Sequence, residues 1–423
     1  MNFILKGTIC YSQTPQALRV SEKSYLVCED GVSRGVFSQI PEQYAAFPVT
    51  DYGDCLIIPG LCDLHIHAPQ FPIRGLGADM ELLEWLTRCA FVEEAEYADL
   101  DYADKAYDAF VAELRQGATT RACVFATLHV PATVLLMEKL EQSGCVTQVG
   151  KVSMDQYSPD NLREADPQAA LAAARAWIEK TKGKFRNTTP IVTPRFAPSC
   201  SAALMQGLSA LQKEYALPVQ SHLSENQDEV ALVRKMYPEA ASYAEVYDRF
   251  GLLGGAGMPT VMAHCVWLGE AEKDLLKVRD VTIAHCPQSN SNMSSGIAPV
   301  RRLLDKGLRV GLASDVAGGN HTSIFRAMSD AIRVSKHYRK WIDPASASLT
   351  EREVFYLGTL GGGRFFGKVG SFEDGYEFDA IVLDDSALAA PRTLTAESRL
   401  LRMMHLYENC VIRGKYVRGK RLF

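Results

Sequence analysis

Residues 59–67 have the sequence Pro59-Gly60-Leu61-Cys62-Asp63-Leu64-His65-Ile66-His67. The apolar run at residues 55–58 precedes them, and the Pro-Gly pair predicts a strand, a break and a second strand. In the second strand, the two-residue period places His65 and His67 on one face. Two imidazoles on one face can reach one metal ion. This interpretation depends on further ligands, because an isolated His-x-His pair is also common in protein cores.

The composition is that of an ordinary soluble protein. Its 423 residues are 47% apolar and 22% charged, enough for one large domain and a smaller one. A net charge of −5 argues against nucleic acid as the main partner. The 11 cysteines include no C-x-x-C pair, which disfavours a disulfide framework and a zinc ribbon. The sequence shows neither a signal peptide nor an apolar run long enough to span a membrane, so we expect a cytoplasmic protein.

From residue 59 onward, strand-like segments alternate with helical ones. Eight strands are predicted, at residues 62–67, 119–125, 146–154, 190–196, 218–222, 260–265, 281–285 and 309–313. Helices are predicted at residues 168–182, 206–215, 225–236, 298–306 and 350–366, the first capped by Asp166 and opened by Pro167. This alternation predicts an α/β fold, a TIM-type (β/α)8 barrel over residues 59–370.

The two ends of the chain have a different pattern. Residues 1–58 and 371–423 contain short β-like runs broken by glycine and proline, and we expect them to form one small β-sandwich domain. The basic tail at residues 413–421 fits a hairpin with charged edges better than an RNA-binding segment.

Metal-ligating side chains recur where the barrel would place an active site, at the carboxyl ends of its strands. His65 and His67 end strand one, His222 ends strand five, His264 ends strand six and Asp315 ends strand eight. Each histidine alone could be a hydrogen-bonded structural residue, but their shared position at strand ends favours a metal site. Three of these imidazoles and the carboxylate would suit a catalytic Zn²⁺ or Fe²⁺ that keeps one position open for water.

These segments resemble the amidohydrolase superfamily and, within it, the guanine deaminases. The matching stretches are PGLCDLHIHAPQF (59–71), LLEWL (82–86), TPRFAPSCS (193–201), SHLSEN (221–226), VMAHCVWL (261–268), TIAHCPQSN (282–290) and GLASDVAGG (311–319). The metal pattern matches the deaminase and chlorohydrolase branch of the superfamily. The PRF motif and the glutamine after H-x-H-x-x narrow the resemblance to guanine deaminases.

The resemblance implies a single metal ion, because strand four carries Arg195 where binuclear relatives have a bridging lysine. It implies zinc, with Fe²⁺ possible, and the ligands His65, His67, His222 and Asp315. The implied partner is a small purine, with neither nucleic acid nor membrane, and we expect a homodimer.

The implied reaction is the hydrolytic deamination of guanine to xanthine and ammonia. Glu225 would protonate N3 and pass a proton to the leaving amine. Asp315 would accept the proton of the metal-activated water, and His264 would stabilise the developing charge. Glu225 could alternatively be an acidic cap at the start of the helix predicted at residues 225–236.

Substrate binding is implied for three further residues. The guanidinium of Arg195 would bind O6 and N7 of guanine, Phe196 would pack on the ring, and Gln70 would hydrogen-bond to the purine edge. An ion-paired arginine, a core phenylalanine and a solvated glutamine are the structural alternatives.

Two other functions stay open. The chain could act on another purine or a pterin, or it could be a metal-free barrel that serves as an assembly subunit. The presence of all four ligands disfavours the second function. The other zinc deaminase fold is disfavoured because its H-x-E and P-C-x-x-C motifs are missing from the sequence.

Overall fold

The computed structural model describes residues 1–254, 257–388 and 390–423. The strands, numbered in chain order, are β1 (Phe3–Ser12), β2 (Leu18–Glu29), β3 (Val32–Phe37), β4 (Val49–Pro59), β5 (Leu61–His67), β6 (Thr119–Phe125), β7 (Val146–Gly150), β8 (Val152–Ser153), β9 (Thr188–Pro190), β10 (Thr193–Pro194), β11 (Val219–Leu223), β12 (Thr260–His264), β13 (Thr282–His285), β14 (Arg309–Leu312), β15 (Ala380–Asp384), β16 (Val411–Val417) and β17 (Lys420–Arg421).

The α-helices are α1 (Leu82–Trp85), α2 (Phe91–Ala95), α3 (Leu100–Gln116), α4 (Val130–Ser143), α5 (Pro167–Thr181), α6 (Ala202–Tyr215), α7 (Gln227–Met236), α8 (Tyr243–Arg249), α9 (Glu270–Val278), α10 (Pro287–Asn292), α11 (Val300–Asp305), α12 (Ile324–Trp341), α13 (Glu351–Tyr356) and α14 (Ala396–Leu406). Within the described ranges, none of these helices combines the length and the apolar character needed to cross a bilayer.

One mixed sheet contains strands from both ends of the chain. In the described residues it has seven strands, in the order β17-β16-β15-β4-β1-β2-β3. Strand β4 pairs in parallel with β1 and antiparallel with β15, so the C-terminal strands extend the sheet that the N-terminal strands begin. The predicted hairpin in the basic tail is confirmed, since β16 and β17 pair antiparallel.

Two parallel sheets hold the strands that carry the candidate ligands. Their orders in the described chain are β5-β6-β7-β9 and β11-β12-β13-β14. Val192 forms a parallel bridge to Val219 at one pair of edges. At the other pair, the Asp315 N–H donates to the His65 carbonyl at 2.9 Å. The apolar side chains of β5 and β11–β14 share one buried core with those of the surrounding helices.

Two strands predicted as continuous are interrupted. The segment predicted at residues 146–154 forms β7 and β8, and the segment at residues 190–196 is represented by β9 and β10. Pro190 and Pro194 have no N–H to donate, which prevents a continuous ladder through the second segment. Arg195 and Phe196 therefore follow the last paired residue instead of lying within a strand.

The helix caps both confirm and correct the sequence predictions. The Asp166 side chain accepts a hydrogen bond from the Ala169 N–H at 2.8 Å, as expected for the cap of α5. The alternative role of Glu225 as a helix cap is excluded, because Asn226 caps α7 and accepts from the Asp228 N–H. The helix predicted at residues 350–366 is confirmed as a helical segment, which begins as α13, continues as a π-helix at Leu357–Gly361 and ends in a 3₁₀ turn at Arg364–Phe366.

A buried ion pair links β6 to the mixed sheet. The Nε of Arg121, which is 1% exposed, donates to Asp379 at 2.6 Å, and its Nη2 donates to Glu377 at 2.8 Å. Removing one partner of such a pair leaves an uncompensated charge in the interior.

We expect Arg121→Met to lower the free energy of unfolding by about 3–5 kcal/mol, because it strands the Asp379 carboxylate. Urea denaturation measures the change. The matched control is Arg413→Met, whose ion pair with Asp384 is exposed and should contribute less than about 1 kcal/mol. Equal losses in the two variants would contradict a special role for the buried pair.

Candidate active site

Three imidazoles converge at the carboxyl ends of β5 and β11. The Nε2 of His67 lies 3.1 Å from the Nε2 of His65 and 3.2 Å from the Nε2 of His222. His222 donates its Nδ1–H to the Arg195 carbonyl at 2.6 Å, so its Nε2 carries a lone pair that faces the other rings. Two nitrogen ligands of a tetrahedral zinc ion would be about 3.3 Å apart. The residues present therefore fit a divalent ion.

The protonation state of His67 and His222 favours binding of a metal ion. Burial, reinforced by the neighbouring His65, holds the pKa of His67 and of His222 well below the ordinary value. Both rings are therefore neutral at physiological pH, as metal binding requires.

Asp315 completes the cluster. One carboxylate oxygen lies 3.2 Å from the Nε2 of His65, and the other lies 3.6 Å from the Nε2 of His264. Burial alone would raise the pKa of Asp315, but the His65 and His264 rings lower it to about 2. The backbone of Asp315 is left-handed (φ 49°), a conformation that aspartate adopts more readily than most other residues with a side chain. The carboxylate is thus ionised and held at the edge of the imidazole cluster.

Cys286 offers another grouping, since its sulfur lies within 4.8 Å of ligand atoms of His264 and Asp315. Burial, and then the nearby Asp315 charge, raise the pKa of this thiol well above its ordinary value. A protonated thiol is a poor metal ligand, so the His/Asp set is the better candidate.

Glu225 faces His264 across the pocket. Its Oε2 lies 3.4 Å from the Nε2 of His264, and the Ser295 hydroxyl donates to its other oxygen at 3.0 Å. Burial raises the pKa of Glu225 to about 7. A carboxyl group that titrates near neutral pH can both donate and accept a proton.

His264 is oriented by Asn290, which accepts a hydrogen bond from its Nδ1–H at 2.8 Å. Burial opposes the charged form of this ring, but the charges of Glu225 and Asp315 outweigh burial and raise the pKa of His264. The ring can therefore present a cationic N–H donor between the two carboxylates.

Arg195 and Gln70 meet at a carboxylate that the sequence analysis missed. The two Nη groups of Arg195 donate to Glu94 at 2.5 and 2.9 Å, and the Gln70 Nε2 donates to Glu94 at 2.7 Å. The Arg195 guanidinium lies 5.0 Å from the ring centroid of Phe91. Each polar side chain in this group is at most 2% exposed.

One pocket gathers most of the candidate residues. Its empty space, open solvent at the mouth included, is about 470 Å³. Its polar lining includes His67, Gln70, Arg195, His222, Glu225, His264 and Asp315. Its apolar lining includes Leu82, Trp85, Leu86, Phe196 and Met293. His65 contacts the pocket-lining His67 and Asp315, so the structure brings all the predicted site residues together.

The remaining histidines do not join this cluster in the described chain. His285 is buried at the end of β13, and neither ring nitrogen has a hydrogen-bond partner there. His129 precedes α4, and His405 interacts with Ser329 and Glu351. Asn290 and Ser295 contact His264 and Glu225 and were not predicted from the sequence, although Asn290 lies within the quoted stretch TIAHCPQSN.

Comparison with known proteins identifies the family of this chain. The amidohydrolase family model matches residues 56–422. Guanine deaminase of Dictyostelium discoideum is 36% identical over 382 residues, covering 88% of this chain and 84% of that protein. Guanine deaminase of Homo sapiens is 37% identical over 378 residues, covering 86% and 82% of the two chains.

A solved structure is similar over the full length. Guanine deaminase from C. acetobutylicum, with guanine bound in its active site, is 43% identical to this chain. The TM-score is 0.96, with 100% of each chain covered. The chain therefore has the α/β fold of the metal-dependent amidohydrolase family, and it belongs to the guanine deaminases of that family.

Proposed function

We propose that this protein hydrolyses guanine to xanthine and ammonia, using one bound divalent ion, zinc or alternatively Fe²⁺. The observation that carries the proposal is one pocket lined by both the donors Arg195 and Gln70 and the acid–base group Glu225. Guanine deamination requires both kinds of group in one pocket. Donors must bind the acceptors O6 and N7, while an acid–base group must reach the C2 amino group at another position of the ring system. The guanine-bound relative supports the same substrate.

The residues that would hold the ion are His65, His67, His222 and Asp315. Such an ion would lower the pKa of a bound water to near neutrality. Asp315, ionised in the cluster, would accept a proton from the water whose oxygen bonds to C2. Glu225 donates a proton to N3, then accepts the proton of the new C2 hydroxyl and transfers it to the C2 amine. The C2–N bond breaks as C2=O forms, ammonia leaves, and the proton held by Asp315 returns Glu225 to its protonated state. The cationic N–H of His264 stabilises the negative charge that develops on the attacking oxygen.

Substrate orientation depends on the opposite side of the pocket. Arg195 donates to O6 and N7, and Gln70 donates to the same acceptor-rich edge. Phe196 packs on the purine. The centroid of its ring lies 6.4 Å from the centroid of the His222 ring. These contacts present C2 to the metal side.

The same proposal includes the architecture around the site. We infer that the two parallel sheets close into a (β/α)8 barrel over residues 59–370, and that residues 1–58 and 371–423 form the β-sandwich domain. The Val192–Val219 bridge and the hydrogen bond from Asp315 to His65 support closure. The shared strand order of the mixed sheet supports a domain built from both ends. A homodimer in the cytoplasm stays a prediction from the sequence.

Ammonia release from a panel of purines and pterins tests the function. The Arg195→Lys variant tests whether Arg195 selects guanine over adenine. Adenine has a donor amino group where guanine has O6, so Arg195 would find no acceptor there. Sites built on a substrate hydrogen bond reject analogues that lack it by roughly 10⁴. We therefore expect adenine to be at most a trace substrate.

We expect Arg195→Lys to lower kcat/KM for guanine by about 10- to 100-fold, since an ammonium cannot span two acceptors.

The matched control is Arg175→Lys, because Arg175 forms an exposed bidentate pair with Glu214. This variant should keep the kinetics of the unsubstituted protein. Comparable turnover of adenine, or an unimpaired Arg195→Lys variant, would contradict the role of Arg195. Preferred turnover of another purine or a pterin would replace guanine as the substrate.

A further inference from the structure

Glu94 is a buried carboxylate that contacts two pocket-lining side chains without lining the pocket itself. It is 1% exposed and lies in α2, one helical turn after Phe91. This spacing directs both side chains to one side of the helix, where the Phe91 ring centroid lies 5.0 Å from the Arg195 guanidinium and Glu94 pairs with it. Helix α2 therefore contacts Arg195 through two side chains.

The pair with Glu94 determines which donors of Arg195 remain. A guanidinium has five N–H groups in a planar fork, and the Glu94 pair uses one from each Nη. The other three, including Nε–H, have no acceptor among the described residues. The two-point pair with Glu94 and the contact with the Phe91 ring fix the plane of the guanidinium. Each remaining N–H group therefore points in a fixed direction.

Glu94 also determines the orientation of the Gln70 amide. The Nε2 of Gln70 donates to Glu94, and the Oε1 of Gln70 accepts from the Ala317 N–H at 3.1 Å. A flipped amide would place its oxygen against the Glu94 carboxylate and its NH₂ against the Ala317 N–H, which would be repulsive at both contacts. The second Nε2–H is therefore the group that Gln70 offers as a donor.

We propose that Glu94 is a positioning residue for substrate selection, which fixes Arg195 and Gln70 as donors and so selects purines with an acceptor at position 6. This inference rests on the proposed function, in which those two residues bind the substrate. Neutralising Glu94 removes the partner of a buried cation and lets the amide of Gln70 flip. The pocket then offers a mixture of donors and acceptors at position 6, and its preference for an oxo group declines.

Hypoxanthine and purine isolate this effect, because both lack the C2 amino group and only hypoxanthine has O6. Isothermal titration calorimetry of the metal-loaded protein gives the dissociation constant of each. We expect the unsubstituted protein to bind hypoxanthine about 10- to 100-fold more tightly than purine, as expected for a hydrogen bond to a charged donor. In Glu94→Gln this ratio should fall by about tenfold, while the metal content stays unchanged.

Two further variants make the test specific. Glu94→Asp keeps the charge but shortens the side chain, and it should give an intermediate ratio even if Glu94→Gln does not fold. The control Glu164→Gln alters another buried glutamate, which pairs with Lys151 and accepts from the Met154 N–H away from the pocket lining. It should leave the ratio unchanged, whatever its effect on stability.

An unchanged ratio in both Glu94 variants would overturn the inference, and so would equal binding of the two ligands by the unsubstituted protein. The proposed function has a separate readout. If guanine releases no ammonia but the ratio still falls in Glu94→Gln, the function is wrong and the positioning role of Glu94 stands.

Discussion

We expect the Glu225→Gln variant to keep its full metal content and to lose about 10²- to 10⁴-fold or more in kcat for guanine. Glutamine preserves the size of the side chain and can still accept a hydrogen bond from Ser295, but it cannot cycle a proton. The carboxyl is well suited to that task, because burial raises the pKa of Glu225 to about 7. Steady-state ammonia release and metal analysis of the same sample measure the two quantities.

The control for this variant is Glu272→Gln. Glu272 is also buried, and it accepts hydrogen bonds from main-chain N–H groups of Gly269 and Ala244, outside the pocket lining. Its substitution should leave kcat close to that of the unsubstituted protein. If Glu225→Gln were equally active, the acid–base role would be refuted, and the structure leaves no cap role to replace it, because Asn226 caps α7.

The His65→Ala variant should lose its metal and its activity together, and its loss of activity should exceed that of Glu225→Gln. The His65 ring contacts the Nε2 of His67 and the Asp315 carboxylate, so its removal opens the centre of the cluster. Metal analysis of the unsubstituted protein should give about one ion per chain, the stoichiometry of a mononuclear site.

His129→Ala is the matched control for this substitution. His129 is a partly buried histidine whose Nε2 has no hydrogen-bond partner among the described residues, and it lies outside the cluster. Its removal should leave metal content and turnover unchanged. Two ions per chain in an active preparation would rule out the single-metal scheme, and an active His65→Ala variant free of metal would rule out metal-dependent chemistry.

The metal cluster could be predicted because its residues obey a simple geometric rule. A two-residue period places His65 and His67 on one face, and parallel strands bring their carboxyl ends together. His222 and His264 lie within the last two residues of β11 and β12, and Asp315 lies three residues after the end of β14. Local sequence was therefore enough to propose the site, and the observed distances agree.

Glu94 could not be predicted in the same way, because its partners lie 24 and 101 residues away along the chain. A carboxylate in a short helix has no local signal that separates a surface acid from a buried one. Helix α14 was missed for a different reason. It lies among β-like runs, although Thr395 caps it and Leu400, Met403 and Met404 bury its apolar face.

The interruption between β9 and β10 also depends on long-range context. Proline is compatible with the end or edge of a strand, so Pro190 and Pro194 did not exclude a continuous segment in the sequence. Only the pairing with β7 and β8 shows that two short strands lie there.

Arg195 holds His222 through its main-chain carbonyl, whereas its side chain extends to Glu94. Every amino acid supplies that carbonyl, so a new side chain at position 195 need not disturb the tautomer of His222. Replacements at position 195 can therefore change the substrate selectivity, in natural or directed evolution, without disturbing the metal-binding residues. The first step towards a deaminase for a different purine would be a library at positions 94 and 195, screened with the metal ligands held constant.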